Sequence, residues 1–103
     1  MSRLTLAPGV RADLRNIWRH IAVANHNPAA ADREIDRITD VFGVLARERF
    51  LGESREDLAP RVRCFVVGSY LVLYTPEQHG VRIIQVVHSA RDIYTAFRRH
   101  RVK

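Results

Sequence analysis

The chain has 103 residues, 47% of them hydrophobic and 27% charged, with a formal charge of +6. That length suits one domain with one core, and the composition excludes disorder. No run approaches the ~20 apolar residues of a membrane span, and the single cysteine, Cys64, excludes an internal disulfide or a cysteine zinc site.

Arg3 to Leu6 alternates, with Leu4 and Leu6 on one face, and predicts a strand. Pro8 suits the first turn of a helix. Val10, Leu14, Ile17 and Ile21 then recur at helical spacing with Trp18 beside them, while Arg11, Arg15 and Arg19 form a stripe off that face. Asn27 before Pro28 predicts the cap of a second helix, whose apolar stripe is Ile35, Ile38, Phe42 and Leu45. The short connection makes the two helices a hairpin. Gly52 to Pro60 reads as a loop. Arg61 to Val67, Tyr70 to Thr75 and Val81 to His88 read as strands joined by turns at Gly68-Ser69 and at Pro76 to Gly80. The middle one is apolar on both faces, as a central strand would be. In the third, Val81, Ile83 and Val87 are expected on one face, Ile84 and Val86 on the other. A short helix containing Ile93, Tyr94 and Phe97 follows. The predicted architecture is α+β, in the order β-α-α-β-β-β(-α), a helical hairpin on a small antiparallel sheet. Residues 1–97 are expected to form the domain and 98–103 a basic tail.

Sixteen of the seventeen basic residues are arginine, and the remaining one is Lys103. Arg98, Arg99, Arg101 and Lys103 concentrate charge in the last six residues, as a solvating end or as a surface for nucleic acid or an acidic protein. No phosphate-binding loop, zinc-protease helix or nucleophile elbow is present. The five histidines show no i, i+4 pair that would suit a metal, so no metal or cofactor is expected. Cys64, between Val62 and Val66 in a strand, reads as a buried inert thiol. One constellation follows the last strand: His88, Arg91, Asp92 and Tyr94. It offers a titratable imidazole, a cation for phosphoryl charge and an aromatic hydroxyl. The same residues also suit a turn and a packed helix.

With these residues in view, the chain resembles the ParE toxins of the RelE/ParE superfamily of type II toxin–antitoxin systems, roughly from Leu4 to Tyr94. The opening Leu4-x-Leu6-Ala7-Pro8-x-Val10-x-Ala12-Asp13-Leu14-x-x-Ile17-Trp18 is similar to the family's first strand and helix. The pattern Arg63-x-Phe65-x-x-Gly68-x-Tyr70-x-Val72-x-Tyr74 resembles its hairpin, and Ile83 through His88-x-x-Arg91-Asp92 its ending. Three positions depart from the pattern. Arg49 stands where a proline is usual, which leaves the second helix room to run further. Arg61 stands where glycine is frequent, and Gln85 where arginine is.

The resemblance implies a toxin that binds and inhibits DNA gyrase, without a catalytic site of its own. It is neutralised by an acidic ParD-like antitoxin. DNA contact would be indirect, through gyrase or antitoxin, and the protein would act in the cytoplasm without a membrane. The antitoxin is expected on Arg11, Arg15, Trp18 and Arg19, and the toxic surface at Arg91, Arg98, Arg99 and Arg101. The alternative is a RelE-like, ribosome-dependent mRNA endoribonuclease using Arg63, Arg91 and Tyr94. Against it, the hairpin strands carry no lysine for a general-base cluster.

Overall fold

The computed structural model describes residues 2–102, of which 98–102 by backbone alone. The order is β1 (Arg3–Leu6), α1 (Val10–Arg19) running into a π-helical turn (His20–Ala24), α2 (Pro28–Arg47), β2 (Glu53–Ser54), β3 (Arg63–Val67), β4 (Tyr70–Glu77), β5 (Gly80–His88) and α3 (Ile93–Val102). The α+β class and the helical hairpin are as the sequence predicts. None of the described helices is long and apolar enough to cross a membrane.

The helix starts follow local chemistry. Gly9 takes a left-handed φ of 99°, so α1 begins at Val10 and Pro8 lies in the turn ahead of it, not in the first helical turn. The Asn27 side chain accepts a hydrogen bond from the Ala30 N–H at 3.1 Å, with Pro28 in the first turn. α2 stops at Arg47, because Glu48 leaves the helical region at φ −120°, ψ 67°. Arg49 therefore does not extend the helix.

The five strands form one mixed sheet in the order β1-β5-β4-β3-β2, with β4 central as its two apolar faces predict. It is not purely antiparallel: β1 lies parallel to β5, Leu4 opposite Val81. The alternation of Leu4 and Leu6 is silent on strand direction, and of the two only Leu6 packs against the core while Leu4 stays 43% exposed. β2, two residues long, pairs Glu53 with Cys64 inside the stretch expected to be loop, since so short a strand shows no period. β3 begins at Arg63, and Arg61 sits before it in a left-handed turn with φ 67°.

β4 runs on through Pro76 to Glu77, so the turn is Gln78-His79. β3 has already ended, with Arg63 opposite Tyr74. The Pro76 carbonyl points to that open side, where it accepts from Arg61 Nη2 at 3.2 Å. Proline's missing N–H costs no ladder bond there.

Helices α1 and α2 cover one face of the sheet. That core joins Val10, Ile17, Ile38, Phe42 and Leu45 to Val67, Val72, Tyr74, Val81, Ile83 and Val86. The other face buries Val62, Cys64, Leu73 and Phe97, with Leu58, Ala59, Ile84 and Ile93 packed around them. A bulge in β5 resets the alternation: Leu73 pairs with Gln85 and Tyr74 with Ile83, leaving Ile84 as the extra residue. Val86, not Val87, thus joins Val81 and Ile83 beneath the helices.

Two glycines predict opposite outcomes. At Gly80 a Cβ would run into the backbone of Arg3, so β1 packs only against a bare Cα. At Gly43, inside α2, a Cβ would meet Arg47 Nη1 at an ordinary 3.7 Å. In urea denaturation, Gly80→Ala is expected to destabilise by about 3 kcal/mol, and Gly43→Ala to stabilise by up to ~1 kcal/mol.

Candidate functional site

The amphipathic pattern of α1 leaves Arg11, Arg15 and Arg19 exposed, and among the described residues no ion pair engages them. Trp18 is 37% exposed. Its indole N–H donates to Asp32 Oδ1 of α2 at 2.8 Å, so the ring lies at the helix–helix seam, outside the core. These four residues share one helix and form one exposed surface.

The end of β5 collects a second group. Past Ile83, β1 no longer covers β5, and Asp13 of α1 substitutes for it by accepting the Val86 N–H at 3.1 Å. A cleft of about 270 Å³ opens there, with Asp13, Asn16, His20, Tyr70, His88 and Arg91 on its walls. His88 sits edge-on to Tyr70 with ring centroids 5.3 Å apart. Its Nδ1 accepts the Ala90 N–H at 3.0 Å. The Arg91 N–H donates to the His88 carbonyl at 3.0 Å, while its side chain is exposed. Asp92 caps α3: Oδ1 accepts from the Tyr94 N–H at 3.0 Å and Oδ2 from the Thr95 hydroxyl at 2.9 Å.

Tyr94 belongs elsewhere. Its hydroxyl donates to Asp57 Oδ2 at 2.6 Å. Arg55 grips the same carboxylate through Nε at 3.0 Å and Nη2 at 2.9 Å, and lies 5.8 Å from the Tyr94 ring centroid. This cluster pins the start of α3 to the loop before β3. Beneath α3, the buried Gln85 donates from Nε2 to the Ala96 carbonyl at 3.2 Å. Cys64 is buried, and burial pushes its thiol up, so it is a packed, inert side chain.

A third site was not singled out as one place by the sequence. Arg49, Phe50, Arg61 and Arg63 line a groove of about 420 Å³, with Glu56 and Glu77 on its walls. Arg49 Nη1 donates to the carbonyls of Glu77, at 2.9 Å, and Gln78. Arg63 donates from Nε to Gly52 O at 3.0 Å and from Nη2 to Phe50 O at 3.3 Å. The Arg49 and Arg63 guanidiniums lie 5.3 Å and 5.5 Å from the Phe50 ring centroid.

The structure therefore does not unite Arg63, Arg91 and Tyr94. Arg63 lies beside Tyr74, whereas Arg91 follows His88, which lies beside Tyr70. Four residues of strand, ~13 Å, separate those levels, and Tyr94 is bound to Asp57. The side chains of Arg98, Arg99, Arg101 and Lys103 lie outside the described residues. Among the described residues no group of three His, Cys, Asp or Glu is placed to hold a metal ion.

Residues 4–93 match the family model of the ParE toxin of the type II toxin–antitoxin system parDE. The chain belongs to the ParE toxin family. It is 31% identical over 93 residues to toxin ParE3 of Caulobacter vibrioides, an alignment covering 90% of this chain and 92% of that protein. It also shares its fold, at TM-score 0.72 and 20% identity, with a chain of the chromosomal ParDE TA system from P. aeruginosa. That superposition covers 85% of this chain and 96% of the other.

Within this ParE toxin the departures from the family pattern take on places. Arg49 and Arg61, twelve residues apart, meet in the same groove with Arg63. Their proximity is invisible in sequence because it depends on the left-handed turn at Arg61 and the end of α2 at Arg47. Gln85 joins the sheet to α3.

The Asp57 cluster has a pH signature. The Arg55 guanidinium, with the Tyr94 hydroxyl second, holds the Asp57 carboxyl well below the usual carboxylate range. A depressed folded-state value means that the tie is fully present above the unfolded value, ~3.9, and fades as pH falls through the folded one. Protection of the Ala96 and Phe97 amides, measured against their intrinsic exchange rates at each pH, is expected to fall on acidification below the unfolded value. Asp57→Asn should remove the pH dependence of that protection and leave it low throughout.

Proposed function

We propose that this ParE-type toxin acts on DNA gyrase by binding rather than by hydrolysis, in the cytoplasm, and is neutralised by a ParD-like antitoxin. The family match carries the reading. The dispersal of Arg63, Arg91 and Tyr94 into three environments supports a non-enzymatic poison over the RelE-like endoribonuclease, since general acid–base chemistry needs its groups within hydrogen-bond reach of one substrate.

The antitoxin occupies the α1 face. Trp18 supplies an amphipathic anchor, and Arg11, Arg15 and Arg19 supply cations outside any ion pair among the described residues for an acidic partner that folds as it binds. Because Trp18 lies outside the core, Trp18→Ala should keep a near-native melting temperature and weaken antitoxin binding by ~2 kcal/mol or more, as a hot spot does. Association should slow as salt rises. A melt lowered by the amount of a core truncation would move Trp18 from the interface to the fold.

Toxicity is assigned to Arg91 and to Arg98, Arg99 and Arg101, with residues 1–97 as the domain and 98–103 as its basic extension. Arginine suits both acidic protein surfaces and DNA phosphates. The helix α3 spans Ile93–Val102, so truncation at Arg98 would remove half of it along with the charges. Substitution to glutamine separates the two effects. The combined Arg98→Gln, Arg99→Gln and Arg101→Gln variant is expected to bind antitoxin normally and to lose gyrase-linked DNA breaks. Cleavage of mRNA on translating ribosomes by the unaltered protein would replace this reading with the endoribonuclease.

A further inference from the structure

We propose that the groove framed by Arg49, Arg61 and Arg63 binds a short segment of single-stranded nucleic acid, its phosphate on the guanidiniums and a base against Phe50. Three cations reach one groove of about 420 Å³ from two parts of the chain, Arg49 after α2 and Arg61 with Arg63 at the entry to β3, a volume in the range of small-ligand sites. Each is aimed by backbone carbonyls of Phe50, Gly52, Pro76, Glu77 or Gln78. Among the described residues none of the three is in an ion pair. A guanidinium carries five N–H donors in a fork that matches phosphate. The carbonyls use only part of that set, so oriented donors remain on cations that no ion pair among the described residues engages.

Two further observations point to a ligand. Arg61 holds its cation at the groove from a left-handed backbone, φ 67°, which glycine adopts freely and a long side chain does not. Phe50 is 62% exposed within this cationic frame. Exposed aromatics interleaved with arginine are how proteins hold unpaired bases along a strand. An acidic peptide would use the guanidiniums alone, whereas a base also stacks on the exposed ring that Arg49 and Arg63 flank. Glu56 and Glu77 on the walls oppose a continuous array of duplex phosphates, whereas a single strand can seat one phosphate and turn its base to Phe50.

The test is fluorescence anisotropy of the full chain, free of gyrase, ribosomes and antitoxin, so the result stands apart from the assigned target. The probes are labelled oligothymidylate, oligouridylate, a DNA duplex of equal length and a polyglutamate peptide. Single strands are expected to bind tightest, with log affinity falling against log salt at a slope of about −0.7 for each phosphate held. The tighter of the two oligonucleotides identifies the strand as DNA or RNA. Arg61→Gly should weaken binding on the order of tenfold while raising the melting temperature, because the strain is relieved. Phe50→Ala should weaken it by a similar factor, on the order of tenfold. Arg33→Ala, an exposed charge on α2, should change little. Duplex or polyglutamate binding as tight as single strands, unchanged affinity in Arg61→Gly, or an equal loss in Arg33→Ala would overturn the proposal.

Discussion

The hydroxyl of Tyr74 organises the side of the molecule where α2 hands the chain to the sheet. Tyr74 is fully buried on the central strand, and its oxygen accepts the Gly52 N–H at 2.8 Å. Gly52 must be glycine, since a Cβ would lie 2.7 Å from the Cys64 carbonyl and 2.8 Å from that hydroxyl. A neutral hydrogen bond nets only ~1 kcal/mol, but leaving its buried donor unsatisfied costs ~1–3 kcal/mol. The contact thus fixes where the chain lies after Glu48. The carbonyls of Phe50 and Gly52 then aim Arg63, and Phe50 is left facing out between two guanidiniums. The position of an exposed ring follows from a buried phenol.

The sheet divides the molecule into two halves of unequal legibility. The face under α1 and α2 could be read from residues: Val10 and Ile17, Ile38, Phe42 and Leu45, and alternate positions of β4 repeat at the periods of helix and strand, and all are buried. The other face could not, because its cover is irregular. Leu58 and Ala59 sit in a loop, and the bulge at Ile84 shifts Val86 to the opposite side from the one simple alternation assigns. A bulge is decided by pairing between strands, which no local pattern in β5 reports. The parallel seat of β1 is of the same kind. It rests on Gly80 admitting the backbone of Arg3, a contact between residues 77 positions apart.

The arginines sort by what they touch, and this is where sequence reasoning about function reaches its limit. Arg11, Arg15 and Arg19 are readable as an exposed stripe because one helix carries them all. Arg55 is bound to Asp57 and Tyr94, so a tyrosine suited to chemistry by type serves instead to dock α3. Arg63 and Arg91, both candidates for one catalytic group, stand at different levels of the sheet on opposite sides of β4. Residue type and order suggest a site, whereas its assembly depends on the lateral order β1-β5-β4-β3-β2, and that order is not written in any segment taken alone.

Local preference and tertiary structure agree along α1 and α2, from the Asn27 cap to the apolar stripes, and the proposed antitoxin face is an ordinary amphipathic helix whose arginines form no ion pair among the described residues. They disagree at Arg61, a long side chain in a glycine conformation, and at Phe50, a large ring left in solvent. Folding alone favours glycine at the first position and a polar residue at the second. Both exceptions lie on the same groove, beside the same three cations; the helical hairpin has exceptions of its own, His26 at φ 53° in its turn and Val23 at 61% exposure, but neither lines that groove. An isolated breach of local rules is tolerable noise in a marginally stable domain. Two that converge on one charged concavity are better accounted for by something that enters it. The α1 face and the groove, which share no lining residue, are then candidate surfaces built by different means, one by a single helix and the other by tertiary convergence.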